Sequence, residues 1–270
     1  MNRNSIIIPC YNEAGRIDLD SFEDFIRSRT DYEICFVNDG SSDNTFEILD
    51  SFREKHPQRV HLVNCIENQG KGEALRNGVH YVLKNTNSDN IGFLDADLAT
   101  GFDDYEYLVK NLQDSGKQKC MVIGSRIRKE DKNIDRNPLR AMLSNMVNKF
   151  IVMIIGMEIN DTQCGAKVFN RESAQFIFTK KFKSRWLFDV EMLMRLRNKI
   201  GKQKLASVVN EVFLSKWNDI EGSKIRLKDL FVMPFQLLNI VFTYNFKPIL
   251  KLKKRELFQV SLKSTRSFLS

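Results

Sequence analysis

Short apolar runs that each stop at a polar or acidic turn constrain this chain more than any other feature. Ser5–Cys10 (SIIIPC), Tyr32–Asn38 (YEICFVN), Val60–Cys65, Ile91–Leu94 (IGFL) and Met121–Gly124 have the length and β-branched content of buried strands. Between them, residues 14–29, 45–55, 71–84 and 103–113 carry helical spacing, and Asp43 or Asn44 is placed to cap the helix that starts at Thr45. Strands alternating with helices imply right-handed crossovers and a mostly parallel sheet. The expected class is α/β, with a Rossmann-like central sheet flanked by helices.

Length and composition agree with one continuous core. The chain has 270 residues, 42% hydrophobic and 28% charged, which describes an ordinary globular protein. A mean hydropathy of −0.35 excludes a polytopic membrane protein. Five scattered cysteines (Cys10, Cys35, Cys65, Cys120 and Cys164) form no CxxC pair, so neither a disulfide framework nor a zinc site is expected, and the compartment reads as reducing. The opening MNRNSIIIPC has three apolar residues before its proline and does not read as a signal peptide.

The pattern changes after Gly124. Residues 138–157 and 225–246 read as strongly apolar helices, the second containing the uncharged run Leu230–Phe246. That run holds Pro234, Gln236, Asn239 and Asn245 and sits at the lower length limit for crossing a bilayer, so it reads as interfacial or core-packed. Residues 221–270 hold ten Lys and Arg against three Asp and Glu, whereas the first 220 hold 32 against 31. The basicity belongs to the tail. The expected division is a catalytic domain over residues 1–226 and an apolar, basic extension over 227–270 that contacts a membrane peripherally.

In an open parallel sheet, ligands bind beyond the carboxyl ends of the strands. Three strands here end in Pro9-Cys10-Tyr11-Asn12-Glu13, Asn38-Asp39-Gly40-Ser41-Ser42 and Asp95-Ala96-Asp97. Carboxylates gathered on one edge repel and resist burial unless something offsets them. Asp95 and Asp97, one residue apart at a strand end, suit a hard cation, Mg²⁺ or Mn²⁺, bridged to a diphosphate. Asp39, before Gly-Ser-Ser, reads as a turn residue whose side chain is left to accept from a base or ribose. Asn68-Gln69-Gly70-Lys71-Gly72 opens a helix, so backbone N–H groups and Lys71 can face phosphate. Neither a P-loop nor GxGxxG occurs, and His56, His61 and His80 lie in unrelated contexts with no nucleophile elbow.

With these residues in hand, PCYNE (9–13), NDGSSDNT (38–45), NQGKG (68–72) and LDAD (94–97) resemble, in order and spacing, the family-two inverting glycosyltransferases of the GT-A fold. DTQCGAK (161–167), RWLFDVE (185–191) and WNDIEGSK (217–224) resemble the branch that glucosylates dolichyl phosphate and its bacterial polyprenyl-phosphate relatives. The resemblance covers roughly residues 4–226. It implies a nucleotide-sugar donor, UDP-glucose, with Pro9, Tyr11 and Glu13 on the nucleoside, Asp39 on the uracil, and Asp95 and Asp97 on metal and ribose. Arg76 matches a donor-contacting arginine, Arg126 the arginine that meets the acceptor phosphate, and Arg140 a second such arginine. Two positions depart from the pattern: Leu98 stands where a glycine follows DAD, and Ala166 where an aromatic follows Cys-Gly.

The resemblance implies inverting in-line displacement at the anomeric carbon. Asp189 lies in the block where this fold keeps its base, with Glu191 supporting it and Asp161 orienting the DTQCGAK loop. A lipid phosphate, ionised with a second pKa of about 6, needs no base; a sugar hydroxyl does. Transfer to a polyprenyl phosphate at the cytoplasmic membrane face is the leading expectation, and transfer to a glycan hydroxyl in surface-polysaccharide assembly the alternative. A sugar nucleotidyltransferase would carry a Gly-rich loop after its first strand, and a nucleic-acid binder would interleave aromatics with basic residues over one face. Neither pattern is present.

Overall fold

β1 (Asn4–Cys10) is the centre of the sheet, paired in parallel with β2 (Tyr32–Asp39) on one side and β4 (Asn90–Phe93) on the other. Its apolar residues Ile6, Ile7 and Ile8 are wholly buried, as a strand covered on both faces requires. The protein is seen here as a computed structural model that describes residues 2–126, 149–215 and 235–246. The full order is β3-β2-β1-β4-β6-β5-β7, with β3 at Val60–Cys65, β5 at Met121–Ser125, β6 at Lys167–Asn170 and β7 at Val209–Phe213.

The expected α/β alternation is present through β5. Helices α1 (Leu19–Ser28), α2 (Thr45–Lys55), α3 (Lys71–Asn85) and α4 (Phe102–Asp114) follow β1 to β4. α1 starts later than its spacing predicts. Residues 14–17 form a turn in which Arg16 and Ile17 N–H donate to Glu13 O at 3.0 and 2.9 Å, and Asp18 then caps α1 by accepting from Ser21 N at 3.2 Å. At α2 the N-cap is Asn44, yet Asp43 accepts from Thr45 N at 3.1 Å.

Two strands have no counterpart in the sequence reading. β6 runs antiparallel to both β4 and β5, and β7 pairs in parallel with β5 at the sheet edge. β6 is four residues long and begins with a lysine, which interrupts the apolar run a buried strand usually shows. It is followed by α5 (Arg171–Ile177), α6 (Phe188–Ile200) and α7 (Lys202–Val208). The apolar helix expected over 138–157 is described from residue 149 and ends at residue 155, where Gly156 takes a φ of +77°.

One core cluster lies under α1, α2 and α4, where Phe22, Phe25, Phe36, Phe52 and Phe102 pack edge-to-face or stacked, with Phe25 and Phe102 centroids 4.1 Å apart. Each such ring removed from water contributes about 1.5–3 kcal/mol.

The chain divides into two compact units, Met1–Ser223 and Lys224–Ser270. In the second, residues 235–241 are α-helical and Phe242–Phe246 continue as a π-turn. Leu237 and Ile240 are buried there, and Phe235, Leu238 and Phe242 are exposed. No helix among the described residues is long and apolar enough to cross a membrane.

α3 lies close on the sheet because Gly78 has no side chain. A Cβ there would sit 2.5 Å from Ile7 Cγ2 and 2.9 Å from Val37 Cγ2. Gly78→Ala should therefore lower stability by about 1–3 kcal/mol through overpacking, read as a fall in the denaturation midpoint. An unchanged midpoint would show that α3 can lift from the sheet without cost.

Candidate active site

The sheet order reverses at β1, which leaves a crevice between the carboxyl ends of β1 and β4, the place where such sheets bind ligands. Pro9 helps to open it. Ile7 O faces β4 and accepts from Leu94 N at 3.2 Å. Two residues on, Pro9 faces the same side past the end of β4 and offers no N–H to pair. Asn12 turns the chain with a φ of 53°, a region Asn tolerates. Its N–H donates to Ser41 Oγ at 3.0 Å and its Oδ1 accepts from Ser42 N at 2.9 Å, so the loops after β1 and β2 move as one. Tyr11 is exposed at this edge, and Glu13 is buried and paired with Arg16, whose Nη2 donates to Oε1 at 2.7 Å.

Asp39 does not stand free. Its Oδ1 accepts from Gln69 N at 3.0 Å and its Oδ2 from Gly70 N at 2.8 Å, and the residue is buried. A carboxylate at the N-terminus of α3 is well placed for the helix dipole as well as for these amides. Gly40 permits the approach: with φ at +66°, a Cβ there would lie 2.5 Å from Asn68 N. Asp39 thus fastens the 67–70 loop to the end of β2, besides standing at the crevice wall.

At the end of β4, Lys71 Nζ forms an ion pair with Asp95. Burial would lower the Lys71 pKa, but the charges of Asp95, Asp189 and Asp97 outweigh it and hold the ammonium above the ordinary lysine range. Asp97 Oδ1 accepts from Ala99 N at 3.1 Å. Leu98, in the position of the expected glycine, adopts a φ of 50° with its N–H on Asp95 O at 3.1 Å. Its partial burial against the core offsets the roughly 1–2 kcal/mol that left-handed backbone costs an L-residue. Gly165 lies against Asp95 so tightly that a Cβ would meet Asp95 Oδ2 at 2.1 Å. The DTQCGAK loop is thereby seated on the DAD turn.

Asp189 heads α6 and is buried beside them. Its Oδ1 accepts from Lys167 Nζ at 2.6 Å, and Lys167, wholly buried, also donates to Cys164 O at 2.7 Å. Burial raises the Asp189 carboxyl above the usual aspartate range, more than the neighbouring charges of Lys167 and Lys71 lower it. Among the described residues its Oδ2 accepts no hydrogen bond. The sequence reading did not single out Lys167 or Arg16. A lone lysine just before the apolar pair Val168-Phe169 was the signal available for the first.

The remaining expected residues separate. Arg126 forms a two-pronged pair with Asp161, Nε to Oδ2 at 2.5 Å and Nη2 to Oδ1 at 2.8 Å. Burial alone would raise Asp161, and Arg126 outweighs it, holding the carboxyl below the ordinary range. Glu191 is wholly buried away from this group: it accepts from Lys183 N and Arg195 Nη2, both at 2.7 Å, and braces the chain before α6. Arg76 pairs with Glu73 on its own helix at 3.3 Å, and its buried Nε has no partner among the described residues. Arg140 and WNDIEGSK (217–224) lie outside the described residues.

Among the described residues no group of three or more His, Cys, Asp or Glu side chains could hold a metal ion by itself. Two half-exposed carboxylates that leave positions for a diphosphate and water match the way Mg²⁺ is bound.

Comparison with known proteins adds kinship to this geometry. The family model of glycosyl transferase family 2 matches residues 5–178. A dolichyl-phosphate beta-glucosyltransferase of Trichomonas vaginalis is 35% identical over 246 residues, 87% of this chain and 72% of the relative. The dolichyl-phosphate beta-glucosyltransferase of Homo sapiens is 32% identical over 234 residues, 82% of this chain and 69% of the relative. Among solved structures, glucosyl-3-phosphoglycerate synthase from Mycobacterium tuberculosis, in complex with Mn²⁺, UDP and glucosyl-3-phosphoglycerate, superposes with a TM-score of 0.61 at 17% identity over 90% of this chain and 80% of that one. Mannosyl-3-phosphoglycerate synthase from Rubrobacter xylanophilus gives 0.63 at 17% over 89% and 73%. These two share the fold, GT-A.

Asp39→Ala leaves two partly buried N–H groups without their acceptor, each costing about 1–3 kcal/mol. A denaturation midpoint reduced by about 2 kcal/mol or more is expected, with a smaller loss for Asp39→Asn, which keeps one acceptor. An unchanged midpoint for the alanine variant would show that the 67–70 loop is held by other contacts.

Proposed function

We propose that this chain, which belongs to glycosyl transferase family 2, moves glucose from UDP-glucose to a polyprenyl phosphate of the dolichyl type with inversion at the anomeric carbon. The carrying observation is the Lys71–Asp95 pair at the mouth of the crevice, beside Asp97 and the N-terminus of α3. A cation at a helix N-terminus suits an anionic diphosphate, and adjacent carboxylates suit its counter-cation; a neutral ligand needs neither. The named relatives supply the acceptor and the sugar of this reading.

Pro9, Tyr11 and Glu13 line the nucleoside side, and Asp39, held by the loop amides, presents its remaining lone pairs to the base. Lys71 leaves Asp95 for the diphosphate as the donor enters. Asp95 and Asp97 would hold Mg²⁺ or Mn²⁺, which would neutralise charge on the departing UDP. Arg126 orients the acceptor phosphate, which needs no deprotonation.

One observation favours transfer to a sugar hydroxyl instead. Asp189 has an Oδ2 that accepts no hydrogen bond among the described residues, and burial raises the carboxyl's affinity for a proton, as a general base requires. The two acceptors are separable. In the phosphate reading Asp189→Asn keeps a substantial part of the activity. In the hydroxyl reading it abolishes transfer while UDP-glucose still binds. A thermal midpoint is needed beside each rate, because the variant leaves Lys167 without its counter-charge.

The second unit supports membrane docking on the cytoplasmic face. Phe235, Leu238 and Phe242 are exposed at spacings of three and four, and Lys247, Lys251, Lys253, Lys254 and Arg255 follow in sequence. Each basic residue near an anionic surface contributes about 1 kcal/mol, and apolar side chains add interfacial area.

Transfer of labelled glucose to polyprenyl phosphate should stop in excess EDTA and fall about a hundredfold or more in Asp95→Ala and Asp97→Ala. Full turnover in EDTA would end the cation assignment, and transfer only to water-soluble glycans would end the lipid one. The protein should also sediment with anionic vesicles at low salt and release at high salt. Equal recovery in the supernatant with anionic and neutral vesicles would refute docking.

A further inference from the structure

Glu211 on β7 lies outside every motif noted in the sequence, yet its carboxylate accepts four hydrogen bonds from the Asn160–Asp161 segment. The β5–β7 register sets Glu211 opposite Ile123, so the strand that leads to Arg126 and the strand that carries Glu211 run side by side. Asn160 N donates to its Oε1 at 2.9 Å and to its Oε2 at 3.0 Å, Asn160 Nδ2 to Oε2 at 2.8 Å, and Asp161 N to Oε1 at 2.8 Å. The carboxylate therefore fixes the backbone from which the Asp161 side chain projects.

Asp161 passes that placement on. Besides the two-pronged pair with the guanidinium, its Oδ2 accepts from Arg126 N at 3.2 Å and its Oδ1 from Gln163 N at 3.3 Å. A planar guanidinium gripped along its Nε–Nη2 edge has its orientation set. About a third of the Arg126 side chain remains exposed, and the Asp95 charge adds to the stabilisation of its guanidinium. The arginine thus belongs electrostatically to the crevice that holds the DAD turn.

We propose that Glu211 is a positioning residue: it holds the Asn160–Asp161 backbone so that Asp161 aims Arg126 at the phosphate of the acceptor. The acceptor part of this statement rests on the functional reading above; the coupling of Glu211 to Arg126 does not. A brace that only stabilises the sheet edge would lower the unfolding midpoint and leave substrate discrimination alone. A positioning residue changes the KM of the substrate that Arg126 serves and loses its effect when Arg126 is gone.

The test is a double-mutant cycle on the full chain with Glu211→Ala, Arg126→Ala and both, measuring kcat, the KM for polyprenyl phosphate, the KM for UDP-glucose and the thermal midpoint. Glu211→Gln, which keeps the shape and one acceptor oxygen, replaces the alanine variant if that variant does not fold. Arg126→Ala should raise the acceptor KM about tenfold or more, the range of a lost charge-assisted hydrogen bond. Glu211→Ala should raise it about three- to tenfold, with Glu211→Gln smaller and the donor KM unchanged. In the Arg126→Ala background the further effect of Glu211→Ala should be under about twofold. Additive effects, or a shift in midpoint with no change in either KM, would overturn the proposal. Coupling that appears in the donor KM would keep the positioning role and reject the acceptor reading.

Discussion

Compensation of charge in a half-buried crevice is the constraint on which the rest of this structure depends. A carboxylate taken out of water costs several kcal/mol unless it is paired or fully hydrogen-bonded. Each acidic side chain here has its own answer, drawn from a different part of the fold. Glu13 has Arg16, Asp95 has Lys71, Asp189 has Lys167, and Asp161 has Arg126. Asp39 uses the amides of Gln69 and Gly70 instead. The pairs differ in accessibility. Lys167 is wholly buried and cannot leave Asp189 cheaply, whereas Lys71 and Asp95 are each about a third exposed and can exchange each other for a ligand.

That difference divides the crevice into a fixed part and an exchangeable part. The fixed part is built by β6, the antiparallel strand wedged between β4 and β5. Its insertion carries Gly165 onto Asp95 and Lys167 under Asp189, so the second half of the chain completes a site that the first half begins. The exchangeable part is the DAD turn with the N-terminus of α3, where a diphosphate and its cation fit the donor set. Transfer chemistry needs both: mobile partners to admit the donor, and rigid ones to hold the reacting groups in line.

The sequence was most legible where structure is local. The strands from Asn4 to Ser125 and the helices between them follow from periodicity and turn residues, because each is a continuous run with its own boundaries. β6 and β7 were not legible: both are short, one begins with a charge, and their places depend on partners far along the chain. The acids at the strand ends were legible as types, and Lys71 and Arg126 as candidate cations, but which acid each cation pairs with was not. Lys167 and Asp189 lie 22 residues apart and Arg126 and Asp161 35, and no local pattern joins them. Asp39 shows the same limit from the other side. Its turn reads as open, and only the fold brings Gln69 and Gly70 to its oxygens. Glu191 sits two residues from Asp189 on α6, yet it braces the loop before the helix, because neighbours at that spacing point to different faces.

The most direct measurement is a calorimetric titration of UDP-glucose into the protein with Mg²⁺ or Mn²⁺ present, repeated in EDTA and with Asp95→Asn. The expected result is one site per chain, strong dependence on the divalent cation, loss of that dependence in the variant, and weaker binding of GDP-mannose. Equal binding with and without the cation in the unaltered protein, or no binding of UDP-glucose at all, would contradict the assignment of the crevice as a cation-bridged nucleotide-sugar site.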